Sequence, residues 1–193
     1  MTISVNETDV DLSFKGISDI SELSRLTKVK TLDLAVNNIS DIRALKNLTQ
    51  LTKLYLNQNK LTDISTLENL TNLTTLWLHM NEISDISALK NLTGITEIGL
   101  WGNNISDIRA LKNFTKLTSL TLSYNKITDI STLKNLIGLT RLNLSHNEIT
   151  DISALKGLTK LTSLDITGNP LTAKQIDDLR AALPKCKITF ETD

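Results

Sequence analysis

An asparagine recurs every 22 residues along most of this chain, without a single insertion or deletion between one repeat and the next. The positions are Asn37, Asn59, Asn81, Asn103, Asn125, Asn147 and Asn169. A fixed period of about 20 to 50 residues is typical of solenoids, in which each unit packs only against its neighbours. The chain is therefore predicted to stack equivalent units side by side around one continuous core.

Each repeat contains the pattern of a short strand. The repeating unit is L-x-x-L-x-L-x-x-N-x-I-S/T-D-I-x-x-L-x-x-L-T-x. Leu54 and Leu56 are two residues apart, so both point to the same side of a strand and into the core. Lys53, Tyr55 and Asn57 then face outward. Stacking the repeats in register predicts a parallel sheet with one strand per unit.

The second half of each repeat predicts a turn and a short 3₁₀ segment. Asn59 follows the strand, where its amide can bond backbone groups of neighbouring turns and form a ladder. Ile64, Leu67 and Leu70 are spaced by three residues, the period of a 3₁₀ helix. Asp63 precedes them and is predicted to cap the segment. Capping explains this repeated aspartate better than calcium binding does.

Both ends of the chain depart from the repeat, as the ends of a solenoid must. Val10 and Leu12 take strand positions in a truncated first unit. Thr172 begins a capping-box pattern for a helix that Pro184 ends, and a last strand is predicted from Lys187 to Phe190. The predicted division of this single domain is an N-terminal capping segment with a truncated repeat (1–28), the 22-residue repeats (29–171) and a C-terminal cap of helix plus strand (172–193).

Composition excludes several classes of partner. The 21 basic and 21 acidic residues balance, so the chain lacks the basic excess that binds nucleic acid. The single cysteine, Cys186, excludes an internal disulfide framework. No apolar run approaches the roughly 20 residues that span a bilayer, and residues 1–9 lack the pattern of a signal peptide. We expect no cofactor, no membrane insertion and a monomer.

The N-x-I-S/T-D-I stretch, as in residues 81–86, carries a family resemblance. It resembles the leucine-rich repeats of bacterial internalins and, more loosely, the 22-residue SDS22-like repeats of eukaryotic phosphatase regulators. The similarity extends from Val10 to Leu171. It implies an α/β solenoid, curved and right-handed, with a parallel β-sheet on the concave face, 3₁₀ turns on the convex face and a helical C-terminal cap. It also implies a concave face that binds a partner protein, a host receptor in internalins, and secretion or display at a bacterial surface.

A longer internal repeat shows where the chain varies. Residues 37–102 and 103–168 agree at about two-thirds of positions, yet of twelve outward strand and turn positions only Gly102 and Gly168 agree. Outward positions can drift freely, which is the simpler explanation. However, charged residues elsewhere are identical in both copies, as Lys60 and Lys126 are. This pattern favours a face that was selected, or designed, for recognition.

Both tryptophans, both tyrosines and both histidines lie on this outward set. Such side chains are typical anchors of protein interfaces. Because adjacent strands are about 4.8 Å apart, Tyr55 should stand beside Trp77, and His79 beside Trp101. Charged residues, including Asp33 and Asp165, are expected around this apolar centre. The predicted partner-binding residues are Tyr55, Trp77, His79, Met80, Trp101, Tyr124, His146, Lys53, Glu97 and Arg141.

Chemistry beyond binding has little support in the sequence. His79 and His146 are three repeats apart, about 14 Å at the strand spacing, so they cannot share a metal ion. The expected neighbours of His79 are Asn57 and Trp101, which supply neither a nucleophile nor a carboxylate. We therefore predict a protein-recognition module and no enzyme. An engineered repeat-protein binder and a cytosolic regulatory subunit of an enzyme, such as a phosphatase, remain alternatives.

Overall fold

A computed structural model describes residues 4–191 of the chain, and within that range nine short strands form one parallel sheet in sequence order. The strands are β1 (Asp9–Asp11), β2 (Thr31–Asp33), β3 (Lys53–Tyr55), β4 (Thr75–Trp77), β5 (Glu97–Gly99), β6 (Ser119–Thr121), β7 (Arg141–Asn143), β8 (Ser163–Asp165) and β9 (Lys187–Thr189). Each has three residues, and β9 ends one residue before the predicted Phe190. The predicted solenoid with one strand per repeat is confirmed.

Short helical segments connect successive strands on the opposite side of the core. Seven 3₁₀ segments occur in the described part of the chain: Ser21–Arg25, Arg43–Leu45, Ser65–Asn69, Ser87–Asn91, Arg109–Asn113, Ser131–Asn135 and Ser153–Leu155. An α-helix, α1 (Ala173–Ala182), follows the last repeat. Thr172 and Gln175 form the predicted capping box at its start, because each side chain accepts the other residue's backbone N–H.

The register places equivalent residues of all repeats in straight rows. Leu54 pairs with Leu76 and Tyr55 pairs with Trp77, so partners are always 22 residues apart between β1 and β8. A shift by one residue would turn every leucine outward, so burial of one side of the sheet specifies this register strongly. Any outward residue therefore stands beside its counterparts in the two adjacent repeats.

The core is a stack of equivalent apolar layers. In the unit that begins at residue 51, seven side chains have 0 or 1% exposure: Leu51, Leu54, Leu56, Leu61, Ile64, Leu67 and Leu70. Full burial stabilises each by roughly 1.5 to 3 kcal/mol, but only when neighbouring layers cover it. The helix α1 covers the last layer with Ile176 and Leu179, which have 1% and 0% exposure.

The recurring asparagines form the predicted ladder between turns. Asn103 Nδ2 donates to the carbonyl of Leu78 in the preceding repeat and to that of Leu100 in its own, at 3.0 and 3.1 Å. Its Oδ1 accepts the backbone N–H of Ile83, also in the preceding repeat, at 3.0 Å. One buried amide therefore bonds three backbone groups of two repeats, and none of these groups is hydrogen-bonded within the sheet.

The aspartates cap the 3₁₀ segments, but from one position earlier than a standard N-cap. Asp63 Oδ1 accepts the N–H of Ser65, the first 3₁₀ residue, at 2.8 Å, whereas the N-cap position itself is Ile64. This hydrogen bond holds the pKa of Asp63 below its ordinary value. The same contact joins Asp129 to Ser131. The predicted role is confirmed, and the exact position differs because a tight Asx turn precedes each segment.

Candidate functional site

The solvent-facing side of the sheet, called the concave face from here on, carries the predicted binding residues. Their positions follow from the register. Tyr55 and Trp77 are paired residues of β3 and β4, and Gly99 follows them in the same row. His79 and Trp101 lie two residues beyond Trp77 and Gly99, on the same face. Two adjacent rows over three strands thus contain four rings.

These four rings are in continuous contact and are called the aromatic cluster: Tyr55, Trp77, His79 and Trp101. The centroids of Tyr55 and Trp77 are 5.0 Å apart, with the planes at 79°. His79 lies 5.7 Å from Trp77 and stacks on Trp101 at 4.9 Å and 13°. Edge-to-face and stacked pairs are favourable ring geometries, each contributing about 0.5–1.5 kcal/mol beyond area burial. The rings are therefore held in place before any partner arrives.

The cluster is partly exposed, and its environment favours a neutral imidazole. Trp77 is 36% exposed, while the other three rings are half-buried. Burial lowers the pKa of His79 below its ordinary value of 6.5, which favours the uncharged form of the ring. Large exposed rings on a folded surface are typical of binding sites.

A notch interrupts the face beside the cluster. Gly99 stands between Trp77 and Thr121 in its row and has no side chain to fill the space. A Cβ atom there would lie 2.9 Å from His79 Nδ1, so the ring occupies the room that a larger residue would need. The resulting open cavity measures about 560 Å³, and Trp101 and Arg141 also contribute to its walls.

Charged side chains surround the cluster without pairing to one another. Glu97 Oε1 accepts the indole N–H of Trp77 at 3.2 Å. Lys53 and Arg141 are exposed on the same face. None of the ion pairs found among residues 4–191 includes Lys53, Glu97 or Arg141. Such unpaired charges remain available to a partner.

Asn57 is the one site neighbour whose environment differs from the prediction. It faces the concave side, as expected, but is only 6% exposed. Small side chains at this position lie low on the face, and Ser123 and Ser145 are likewise buried. The Oδ1 atom of Asn57 has no hydrogen-bond donor among the residues described. An unused buried acceptor costs about 1–3 kcal/mol and needs an explanation.

Comparison with known families and structures identifies the repeat. The family model "Leucine rich repeat" matches residues 115–171, and the model "Leucine Rich repeats (2 copies)" matches residues 49–91 and 93–135. Together these matches cover more than half of the chain. The chain belongs to the leucine-rich repeat family.

Solved structures place this leucine-rich repeat protein near bacterial internalins. An internalin (InlF) from Listeria monocytogenes is 35% identical with a TM-score of 0.80, over 92% of this chain and 60% of that one. Internalin C2 (InlC2) of the same species is 29% identical with a TM-score of 0.87, over 95% and 80% of the two chains. The predicted internalin-like class is confirmed, and the chain spans only 60% of the length of InlF.

A plant receptor shares the fold at lower identity. The leucine-rich repeat ectodomain of the receptor kinase GASSHO1/SCHENGEN3 from Arabidopsis thaliana, solved in complex with CASPARIAN STRIP INTEGRITY FACTOR 2, is 25% identical with a TM-score of 0.75. The alignment covers 94% of this chain and 24% of the receptor chain. Comparison with curated protein sequences finds no match. The family is that of protein-interaction scaffolds and not a known class of enzyme.

The remaining predicted residues of this leucine-rich repeat protein lie on the edge of the concave face, in the turn after each strand. Met80, Tyr124 and His146 occupy this edge, called the rim, and all three have φ between 53° and 55°. Tyr124 stacks on His146 at 4.3 Å, as a pair separate from the aromatic cluster. Phe14 is at the same rim position and is 75% exposed. Phe14 was not predicted as a site residue, because the truncated first repeat was interpreted only as a cap.

The rim backbone has a left-handed conformation that favours glycine, and Gly168 adopts it with φ 65°. A Cβ atom on Gly168 would lie 2.6 Å from His146 Nδ1. We therefore expect Gly168→Ala to lower the free energy of unfolding by about 1 kcal/mol or more, because it combines left-handed strain with displacement of the His146 ring. Urea denaturation followed by circular dichroism measures the change.

Gly157 is the matched control, since a Cβ atom there meets nothing within 4 Å. Gly157→Ala should leave stability unchanged or raise it by up to about 1 kcal/mol. Equal losses in the two variants would contradict the role assigned to the rim conformation.

Two kinds of site are not found in the described residues. No group of three or more histidine, cysteine, aspartate or glutamate side chains in residues 4–191 could hold a metal ion. The helices described there are all too short or too polar to cross a bilayer.

Cys186 is half-buried, and burial raises the pKa of its thiol, which disfavours the reactive thiolate.

Proposed function

We propose that this protein binds another protein on its concave face, with the aromatic cluster at the centre of the interface and with Lys53, Glu97 and Arg141 around it. The observation that carries the proposal is the unbroken contact of four rings over three strands, on a face whose charges are unpaired. In this proposal the protein acts as a monomeric recognition module.

The energetics of interfaces support an aromatic centre. Tryptophan, tyrosine and arginine are the residues whose truncation costs most binding energy, about 2 kcal/mol or more at a hot spot. The rings of the cluster are already packed against one another, so binding immobilises few rotatable side chains. Unpaired charges at the border accelerate association and select among partners. The cluster and its border thus combine anchoring with selection.

The internal duplication supports the same assignment. The positions of Tyr55, Trp77, His79 and Trp101 hold Thr121, Asn143, Ser145 and Thr167 in the second copy of the 66-residue block. The fold therefore tolerates small polar residues at these positions. Since packing does not require four rings there, their presence is best explained by contact with a partner.

Met80, Tyr124 and His146 extend the proposed interface along the rim. Each holds a large side chain in the left-handed region, although glycine adopts that region without strain, as Gly102 does. Met80 and Tyr124 remain 44% and 57% exposed. Other residues share this backbone conformation, so it is the exposure of these large side chains that favours a binding role over a packing role.

An exchange variant tests the proposal. It carries Tyr55→Thr, Trp77→Asn, His79→Ser and Trp101→Thr, and each new residue already occupies the same register position elsewhere in this chain. We expect normal folding and a loss of at least about 100-fold in partner affinity, as several anchors of about 2 kcal/mol are removed without full additivity. Partners are first captured on the wild-type protein and identified, and affinity is then measured with the purified partner.

The matched control changes the same number of exposed residues outside the face. Lys60→Ala and Glu82→Ala, with Arg43→Ala and Lys46→Ala, should leave the affinity within about twofold, because convex and loop residues stay outside the proposed interface. A partner that binds the folded exchange variant and the wild type equally well would refute the proposal.

A further inference from the structure

Two carboxylates flank the Tyr55–Trp77 pair on the concave face. Asp33 is the register partner of Tyr55 in the adjacent strand, and Glu97 contacts the Trp77 indole. Each uses one oxygen within the protein: Asp33 Oδ1 accepts the Ala35 N–H at 2.9 Å, and Glu97 Oε1 accepts the Trp77 N–H at 3.2 Å. Asp33 Oδ2 and Glu97 Oε2 receive no hydrogen bond from residues 4–191. Both carboxylates can therefore accept one from a partner.

The charges of these two carboxylates meet at the phenol of Tyr55. Burial raises the pKa of Tyr55, and the negative charges of Glu97 and then Asp33 raise it further. Both carboxylates therefore act on the same side chain, although they belong to strands on opposite sides of it. The space over the Tyr55–Trp77 pair combines aromatic faces with a negative potential.

Lys53 is the basic residue closest in sequence to the pair, and its charge acts elsewhere. It affects Asp9, two strands away at the N-terminal end of the sheet. A hydrogen bond from Thr8 is the main reason that the pKa of Asp9 is lowered, and the charge of Lys53 contributes to the same shift. The charges that raise the pKa of Tyr55 are those of Glu97 and Asp33, and the charge of Lys53 is not among them.

We propose that the Tyr55–Trp77 pair, together with Asp33 and Glu97, binds an arginine side chain of the protein partner. The inference rests on the proposed function and specifies the chemistry of its ligand. A guanidinium is planar, stacks on aromatic rings and donates paired N–H bonds to carboxylates. A lysine amine is more strongly hydrated and cannot stack or bond in this bidentate way.

The donors of a guanidinium suit a site that combines rings with free carboxylate oxygens. It has five N–H groups in one plane, so its face can stack on a ring while its edge donates to Asp33 Oδ2 or Glu97 Oε2. The Oδ1 atom of Asn57 lies below the surface and is not part of this site.

The test compares two small probes that differ in charge and not in shape. N-acetyl-arginine amide is titrated against the full chain, and N-acetyl-citrulline amide, with an uncharged urea in place of the guanidinium, serves as the control. The indole N–H resonance of Trp77 reports binding by NMR and is assigned by its loss in Trp77→Phe, since the chain has two tryptophans. We expect saturable shifts with the arginine probe and about fivefold weaker binding of citrulline, as for an exposed cation–π contact combined with an ion pair.

Variants that neutralise one carboxylate show which charges contribute to binding of the arginine probe. Glu97→Gln keeps an acceptor for the Trp77 indole but removes the charge, and Asp33→Asn keeps an acceptor for the Ala35 N–H. Each should weaken the arginine probe by about threefold to fivefold. Asp165→Asn is the matched control, because Asp165 holds the same position in its strand and accepts the N–H of Thr167 at 3.1 Å. It should leave the probe's affinity unchanged.

Equal affinity for the arginine and citrulline probes, no binding of either probe, or unchanged binding in Glu97→Gln would each overturn the arginine assignment. These outcomes are distinct from failure of the proposed function, which the exchange variant decides separately. If the exchange variant loses its partner while the probes fail, the concave face remains the interface and its ligand is not an arginine side chain.

Discussion

Replacing Asn103 with alanine is expected to lower the free energy of unfolding by about 3 to 5 kcal/mol. The side chain is 8% exposed and bonds the carbonyls of Leu78 and Leu100 and the N–H of Ile83. Alanine leaves the Ile83 N–H without a partner inside the protein, which costs about 1–3 kcal/mol, partly relieved by relaxation or an entering water. The two carbonyls each lose one hydrogen bond of about 0.5–1.5 kcal/mol and keep another from a neighbouring asparagine of the ladder. Urea denaturation monitored by circular dichroism measures the difference.

The next residue provides the control for this prediction. Asn104 is half-buried, and its side chain forms no hydrogen bond within residues 4–191, whereas its backbone N–H donates to Ile83 in any variant. Asn104→Ala should therefore change stability by no more than about 0.5 kcal/mol. Similar losses for Asn103→Ala and Asn104→Ala would show that the ladder contributes little and that leucine packing alone holds the repeats together.

The second large effect is expected at Phe114, which has 0% exposure. The same position holds leucine in other repeats, for example Leu92 and Leu136, so the local core has adjusted to one larger ring. Phe114→Ala should cost about 3–5 kcal/mol, because it combines lost burial with a cavity between two layers. The measurement is again the urea midpoint and slope.

Phe114→Leu restores the residue of the repeat and is the matched control. It should cost only about 1 kcal/mol, since the remaining volume change is small and leucine already fits this position. Both variants should bind a concave-face partner normally when folded, because Phe114 is buried in the core next to a 3₁₀ segment and does not reach the concave face. A loss below about 1.5 kcal/mol in Phe114→Ala would mean that neighbouring leucines close the cavity.

The main features of the fold were predictable because they repeat. One strand pattern, one turn asparagine and one three-residue spacing occur in every unit, so each inference from Leu54, Asn59 or Leu67 was supported by several copies. The sequence correctly predicted that the aspartates cap the 3₁₀ segments, but each aspartate lies one residue before the N-cap position. A pattern of residue types indicates a cap, but the dihedral angles of Ile64 decide which residue holds the N-cap position.

The residues that lie on the concave face could be predicted from the sequence, but the contacts between their side chains could not. Period-two alternation put Tyr55 and Trp77 outward and in adjacent strands, and the structure places them in contact. It could not separate the aromatic cluster from the rim pair of Tyr124 and His146, because that separation depends on the left-handed turn. Nor could it show that Asn57 is buried without a donor.

The period, the register and the residues that share each row follow from the amino-acid sequence alone, because a 22-residue repeat with one buried side permits only one alignment of its strands. Which outward side chains are accessible, which rings touch and which charges stay unpaired became known only from the folded molecule. These properties depend on side chains 22 and 44 residues apart and on their orientations, which no local pattern contains. For this reason two outward positions have different environments. Trp77 is exposed and bonds the carboxylate of Glu97, whereas Asn57 is buried.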